Sequence, residues 1–161
     1  MDLTTADENG TPWDFTCPNR RKAALAYIKQ HRPLLIVGSP MCRMFSQMMR
    51  VNRKKMGELR YRRELQMQEG RYFVHEHPQQ ATSWDLPQVL NFIAKFPVHL
   101  VTNHQCMFGL RAKGADGVEG PAKKPTTWMT NAPWIADSLD QRCDGSHCHV
   151  LLNGGNRFQT K

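Results

Sequence analysis

Cys42 is the side chain best placed for nucleophilic chemistry. It ends the run Gly38-Ser39-Pro40-Met41-Cys42, in which a proline-stiffened turn leads from an apolar segment towards a predicted helix. The N-terminus of a helix stabilises a thiolate, which is the reactive form of cysteine. The same position is also typical of a small buried residue at a junction between a strand and a helix. We therefore treat Cys42 as a candidate nucleophile, with simple burial as the alternative.

Glu76 is the second candidate, because it follows the apolar residues 72–74 at the end of a predicted strand. Partial burial there would favour a carboxyl group that holds or donates a proton. The alternative is a surface carboxylate that caps an element or pairs with a cation. Together, Cys42 and Glu76 would supply a nucleophile and a proton-handling group.

Alternating strand and helix patterns are expected to position these two residues. Strands that alternate with helices are typical of a mostly parallel sheet with helices on both faces, and sites in such α/β folds lie at the carboxyl ends of the strands. We therefore predict that the Cys42 loop and Glu76 border one crevice. The predicted helices cover residues 18–31, 44–69, 85–95 and 134–141, and the predicted strands cover 34–37, 71–76, 98–102, 127–130 and 149–152.

The length of 161 residues is enough for one domain with a hydrophobic core. Residues 34–37 form a continuous apolar run, which predicts a strand buried on both faces. A glycine-rich stretch at 109–121 predicts a loop or a disordered insertion. The predicted organisation is a loop over 1–17, an α/β core over 18–108, a loop over 109–125, and strands with a short helix over 126–161.

Residues 38–46 and Glu76 resemble two motifs of the cytosine-5 DNA methyltransferases. That family carries a Gly-Pro-Pro-Cys-Gln loop followed by Phe-Ser, and later a Glu-Asn-Val strand end. Here Cys42 is followed by Phe45-Ser46, whereas Met41 and Arg43 replace the second proline and the glutamine. The resemblance implies a Rossmann-like fold in which Cys42 adds to a ring carbon of cytosine and Glu76 binds the ring nitrogen edge.

The same resemblance implies S-adenosylmethionine as cofactor. It places Asp2 at the ribose and Trp13 and Asp14 near the adenine, with Ser39 and Pro40 in the loop beside the cofactor. The glycine-rich turn that such folds carry after their first strand is not found in the sequence. We therefore expect a domain that is incomplete at its N-terminus. The alternative is a catalytically inactive relative that binds nucleic acid within a mobile-element polyprotein.

Positive charge favours nucleic acid, most simply DNA, as the partner. The 22 Lys and Arg against 14 Asp and Glu give a formal charge of +8, and residues 43–71 hold nine of these cations against three glutamates. A solvated helix face would explain the same pattern. The residues expected to contact nucleic acid are Arg43, Arg50, Arg53, Lys54, Lys55, Lys123 and Lys124.

The sequence also indicates in which cellular compartment the protein is expected. No segment reaches the roughly 20 apolar residues that span a bilayer, and the N-terminus carries no signal-peptide pattern. The five scattered cysteines do not form the dense framework of a secreted disulfide-rich fold. We therefore expect a protein of the cytoplasm or nucleus that has reduced thiols and does not bind membranes.

Residues 143–149 place four possible metal ligands within seven residues, namely Cys143, His147, Cys148 and His149. The segment lacks the paired Cys-x-x-Cys spacing of zinc knuckles, and adjacent residues are hard to arrange around one tetrahedral ion. The pattern therefore predicts a turn followed by a half-buried strand, without metal. The alternative is a zinc-stabilised interaction domain, with ligands Cys143, His147 and His149 completed by Cys106 or His104.

Overall fold

The computed structural model describes residues 5–14, 17–39, 63–114 and 117–151. The chain divides into two compact units, Met1–Leu35 and Ile36–Lys161. Within the described ranges the α-helices are α1 (Pro18–His31), α2 (Pro87–Lys95) and α3 (Pro133–Leu139), and residues 63–68 are also helical. The strands are β1 (Leu35–Gly38), β2 (Tyr72–Pro78), β3 (His99–His104), β4 (Arg111–Lys113), β5 (Glu119–Pro121) and β6 (Pro125–Thr130).

The first unit is built around α1, whose bounds match the predicted helix. Its first residue is Pro18, which suits the first helical position because that position needs no hydrogen-bonded N–H group. Trp13 is buried, with the guanidinium of Arg20 4.6 Å from its ring centroid and Tyr27 edge-on at 6.2 Å. Arg20 also forms an ion pair with Asp7 at 2.9 Å. These contacts attach the N-terminal loop to the helix.

A four-stranded sheet in the order β1-β2-β6-β3 organises the second unit. The central strand β6 is antiparallel to both β2 and β3, with Trp128 opposite Glu76 on one side and opposite Val101 on the other. The predicted mostly parallel, Rossmann-like sheet is therefore wrong. The alternation of strands and helices along the chain did not indicate strand direction, because the pairing of β2 with β6 joins residues some fifty positions apart.

The main core lies on one face of this sheet. Phe73, Phe92 and Met129 are buried together, and Trp84 and Phe96 pack against them. Phe92 contributes this contact from α2 and meets Phe73 edge-on, with ring centroids 5.8 Å apart. On the other face, Trp134 of α3 meets Tyr72 edge-on at 4.6 Å. α2 and α3 therefore contact opposite faces of a mixed sheet whose strands are mostly antiparallel.

Three local predictions are wrong. The strand at 34–37 was expected to be buried on both faces, but Leu35 is 40% and Val37 64% exposed in the edge strand β1. The glycine-rich 109–121 loop contains the antiparallel pair β4 and β5. The strand expected at 149–152 is not formed by 149–151, the part that the structure describes. Residues 44–62 of the long basic helix lie outside the described residues, and 63–68 are helical as predicted.

Candidate metal centre

Four side chains converge at one end of the sheet with the geometry of a metal site. The ligand atoms of Cys106, Cys143, His147 and His149 all lie within 4.8 Å of one another. The sulfur of Cys143 is 3.6 Å from Nε2 of His147 and 3.4 Å from Nε2 of His149. Zinc bonds of about 2.3 Å to sulfur and about 2.0 Å to nitrogen, arranged tetrahedrally, separate the two ligand atoms by about 3.5 Å. The distances from the Cys143 sulfur to both imidazole nitrogens are therefore compatible with a shared zinc ion.

Backbone hydrogen bonds bring these ligands together from distant parts of the chain. Cys106 lies in the 3₁₀ helix Gln105–Phe108, which directly follows β3. The last residue of β3 is His104, whose N–H donates to the Gln141 carbonyl at 3.1 Å. Its ring Nδ1 accepts the backbone N–H of Cys143 at 2.9 Å. The end of β3 thus aligns the segment after α3 beside Cys106.

A tight turn then directs the remaining ligands towards Cys143. The Asp144 carboxylate accepts the backbone N–H of Ser146 at 2.9 Å, and Gly145 has a φ of +83°, which glycine adopts without strain. The N–H of Gly145 donates to the Cys143 sulfur at 3.3 Å. Such N–H groups stabilise the negative charge of a metal-bound thiolate. The turn therefore positions His147 and also supports Cys143 as a ligand.

The electrostatics of the cluster favour metal binding. Burial lowers the pKa of His149, with the charges of His147 and Lys123 adding to the effect, so its imidazole keeps a free lone pair near neutral pH. Burial and the neighbouring Cys143 thiol raise the pKa of Cys106. A bound divalent cation would displace the thiol proton. The site is thus suited to a cation and unsuited to a free thiolate pair.

The structure distinguishes among the residues that sequence reasoning had grouped. Cys143, His147 and His149 converge as the zinc alternative required, and Cys106 completes the set. His104, the other residue considered for that role, is outside the ligand set and holds the Cys143 backbone instead. Cys148 is exposed and also lies outside the set. The steric objection to adjacent ligands therefore applies to Cys148 alone.

Of the two predicted catalytic residues, the structure describes Glu76, which is outside the ligand set. Glu76 lies within β2, where its carboxylate accepts a hydrogen bond from the Ser39 hydroxyl. Lys124 Nζ is 3.9 Å from Glu76 Oε1. Ser39, the described residue that leads into the Cys42 loop, thus contacts Glu76, and the shared crevice stays a prediction. Cys42 lies outside the described residues, and the catalytic roles of Cys42 and Glu76 stay predictions.

Some of the remaining predicted site residues are described by the structure and others are not. Trp13 lies in the core of the first unit, and the carbonyl of the exposed residue Asp14 accepts the Cys17 N–H at 3.1 Å. Lys123 and Lys124 lie just before β6, close to the metal cluster. The other predicted cofactor and nucleic-acid contacts lie outside the described residues, namely Asp2, Pro40, Arg43, Arg50, Arg53, Lys54 and Lys55.

The sequence analysis did not predict that Asn103 is buried. Its side chain is completely buried, and neither its amide oxygen nor its amide nitrogen has a hydrogen-bond partner. It lies opposite Thr126 in the sheet, on the face that also carries Glu76 and Trp128. The indole N–H of Trp128 also has no hydrogen-bond partner. Asn103 directly follows the strand predicted over 98–102, and its burial had no signal in the sequence.

Comparison of the chain with protein-family models, with curated proteins and with solved structures found no significant match. Among the helices that the structure describes, none is long and apolar enough to cross a lipid bilayer. The function must therefore be inferred from the geometry and charge of the described residues, and the metal cluster is the most informative of their features.

Proposed function

We propose that the chain is a zinc-stabilised domain that binds nucleic acid. The observation that carries the proposal is the convergence of Cys106, Cys143, His147 and His149. Two sulfur and two imidazole ligands favour zinc over harder cations such as magnesium or calcium, which prefer oxygen. Four protein ligands also leave no open coordination position for a substrate, so the zinc has a structural role.

The position of the ligands supports that role. Cys106 follows β3, and the other three ligands follow α3, so the metal joins two segments separated by about 37 residues. Among the described residues, the bonds of His104 to Gln141 and Cys143 also tie the segment after α3 to the sheet. A zinc ion would therefore hold residues 143–149 against the end of the sheet.

Charge supports nucleic acid as the partner. The chain carries a formal +8, and Lys123, Lys124 and Arg142 lie near the metal cluster. A zinc ion bound by two thiolates is formally neutral, so it leaves this local positive charge uncompensated. Metal thiolates also persist where thiols stay reduced, which supports the intracellular location expected from the sequence. The methyltransferase activity implied by the resemblance is not part of this proposal, because it was expected on a parallel sheet.

Metal analysis of the full chain tests the proposal. Protein expressed in zinc-supplemented medium and purified under reducing conditions is expected to contain one zinc ion per chain by plasma mass spectrometry. Cys143→Ser should lose most of that zinc, whereas Cys148→Ser should retain it, because Cys148 is exposed and outside the ligand set. Zinc-free wild-type protein, or equal zinc in both variants, would contradict the assignment.

A further inference from the structure

A basic groove borders the metal cluster and has a volume of about 560 Å³. Its walls are the turn after β2 (residues 78–80), the residues that lead into β6 (123–125), and the segment that begins at the last metal ligand (149–151). We propose that this groove binds the phosphates of a single-stranded nucleic acid and that zinc holds its third wall in place. The second half of this inference rests on the proposed zinc centre.

Two lysines supply the charge that phosphate recognition needs. Lys124 is 44% exposed at its side chain and only loosely paired with Glu76, at 3.9 Å. Lys123 forms no ion pair within the part of the chain that the structure describes. Lys123 lines the groove next to Lys124, so both charges lie on the same wall. An anion placed here would meet two cations that lack strong partners.

The remaining lining favours a single strand over a duplex. Pro78 and Pro125 line the groove together with Val150 and Leu151, so apolar surface lies beside the lysines. A single strand can place its unpaired bases and sugars on such surface while its phosphates meet the cations. A duplex offers mainly its charged exterior, which does not use this apolar surface. Gln79 and Gln80 add exposed amide groups at the rim.

The walls differ in how firmly they are held. The first two are joined by the Gln79 N–H, which donates to the Pro125 carbonyl at 3.1 Å. The third wall begins at the metal ligand His149 and meets the β4–β5 pair through the Val150 N–H, which donates to the Pro121 carbonyl at 2.9 Å. Removal of the metal would release His149 and with it one end of this wall. Zinc and phosphate binding should therefore be coupled.

Fluorescence anisotropy of the full, zinc-loaded chain with a labelled 20-nucleotide oligothymidine tests the groove. The double variant Lys123→Gln/Lys124→Gln should bind about tenfold more weakly, and its log–log salt dependence should lose a slope of about 1.4, because each phosphate contact to a single strand contributes about 0.7. The control Lys22→Gln/Lys113→Gln removes the same two charges from exposed positions outside the groove. It should retain affinity and slope closer to those of the wild type. Equal losses in the two double variants would overturn the groove assignment.

Further measurements test separately whether the groove binds phosphates and whether zinc holds its third wall. Zinc content should be unchanged in the lysine variant, whereas Cys143→Ser should lose both zinc and oligonucleotide affinity. If Cys143→Ser loses zinc yet binds the oligonucleotide normally, the coupling is overturned and the zinc centre stands. If wild-type protein contains no zinc, and the lysine double variant binds the oligonucleotide more weakly than wild type does, the proposed zinc centre fails and the groove stands. Oligouridine should bind comparably, and tighter binding of duplex DNA would overturn the choice of a single strand.

Discussion

Loss of the Cys143 ligand should destabilise the second unit by an amount that the chain topology allows us to calculate. The metal joins Cys106 to Cys143 and thereby closes a loop of about 37 residues. The chain-entropy relation used for covalent cross-links gives about 4 kcal/mol for a loop of this length at 25 °C. A structural zinc ion can contribute more, because its binding free energy is part of the folding free energy. We therefore expect Cys143→Ser to cost at least about 4 kcal/mol relative to zinc-loaded wild-type protein.

This cost corresponds to a measurable change in thermal stability. For a unit of this size, about 4 kcal/mol lowers the midpoint of unfolding by roughly 12 to 20 °C. Circular dichroism melts of wild type, Cys143→Ser and the control Cys148→Ser, each with added zinc and with a chelator, measure it. The chelator should lower the midpoint of wild type and Cys148→Ser to near that of Cys143→Ser, and it should leave Cys143→Ser unchanged. A chelator-insensitive wild type would refute the cross-link.

Two further predictions concern buried polar groups of the sheet. Burial, together with the nearby charges of Arg63 and His77, lowers the pKa of His75 well below 6.5, so the unfolded chain takes up a proton first as the pH falls below about 6.5. Urea unfolding at pH 7.0 and 5.5 should show that the free energy of unfolding falls by up to about 1.4 kcal/mol per pH unit. His75→Gln should reduce this pH dependence. An equal pH dependence in the variant would show that another group causes it. Asn103→Leu removes a buried amide without partners and should raise the free energy of unfolding by about 1 kcal/mol in urea titrations, whereas a marked loss would indicate that the amide is bonded in solution.

Local elements were predictable because their signals are local. The helix α1 begins at Pro18 and ends at His31 as predicted, and Pro87 and Pro133 mark the starts of α2 and α3. The apolar residues of β2 and β3 likewise indicated strands close to their observed bounds. Proline at a first helical turn and short apolar runs are properties of a few neighbouring residues. They can therefore be read without knowledge of the tertiary fold.

Strand pairing is not local, and here the prediction was wrong. The chain reaches β6 from β2 only after α2, β3 and the β4–β5 pair, and nothing in either strand's residues specifies the other as a partner or sets its direction. The exposure of β1 was missed for the same reason, because an apolar run of four residues is equally compatible with an edge strand. The three-residue strands β4 and β5 were concealed by the glycines around them.

The metal cluster shows the same division between local and distant information at a single site. Cys143, His147 and His149 were visible as a group, but residue spacing argued against zinc because the segment lacks paired Cys-x-x-Cys motifs and contains adjacent ligand residues. In the structure His147 and His149 are both partly buried and stand 4.6 Å apart between ring centroids, whereas the residue between them is exposed. One intervening residue therefore lets both imidazoles approach the same sulfur while the Cys148 thiol stays outside. The fourth ligand, Cys106, comes from the end of β3, which lies beside this segment because β3 pairs with β6 and His104 holds the backbone of Cys143. A spacing rule for contiguous ligands could not include Cys106. It joins the other ligands only through the sheet topology, which the sequence did not determine.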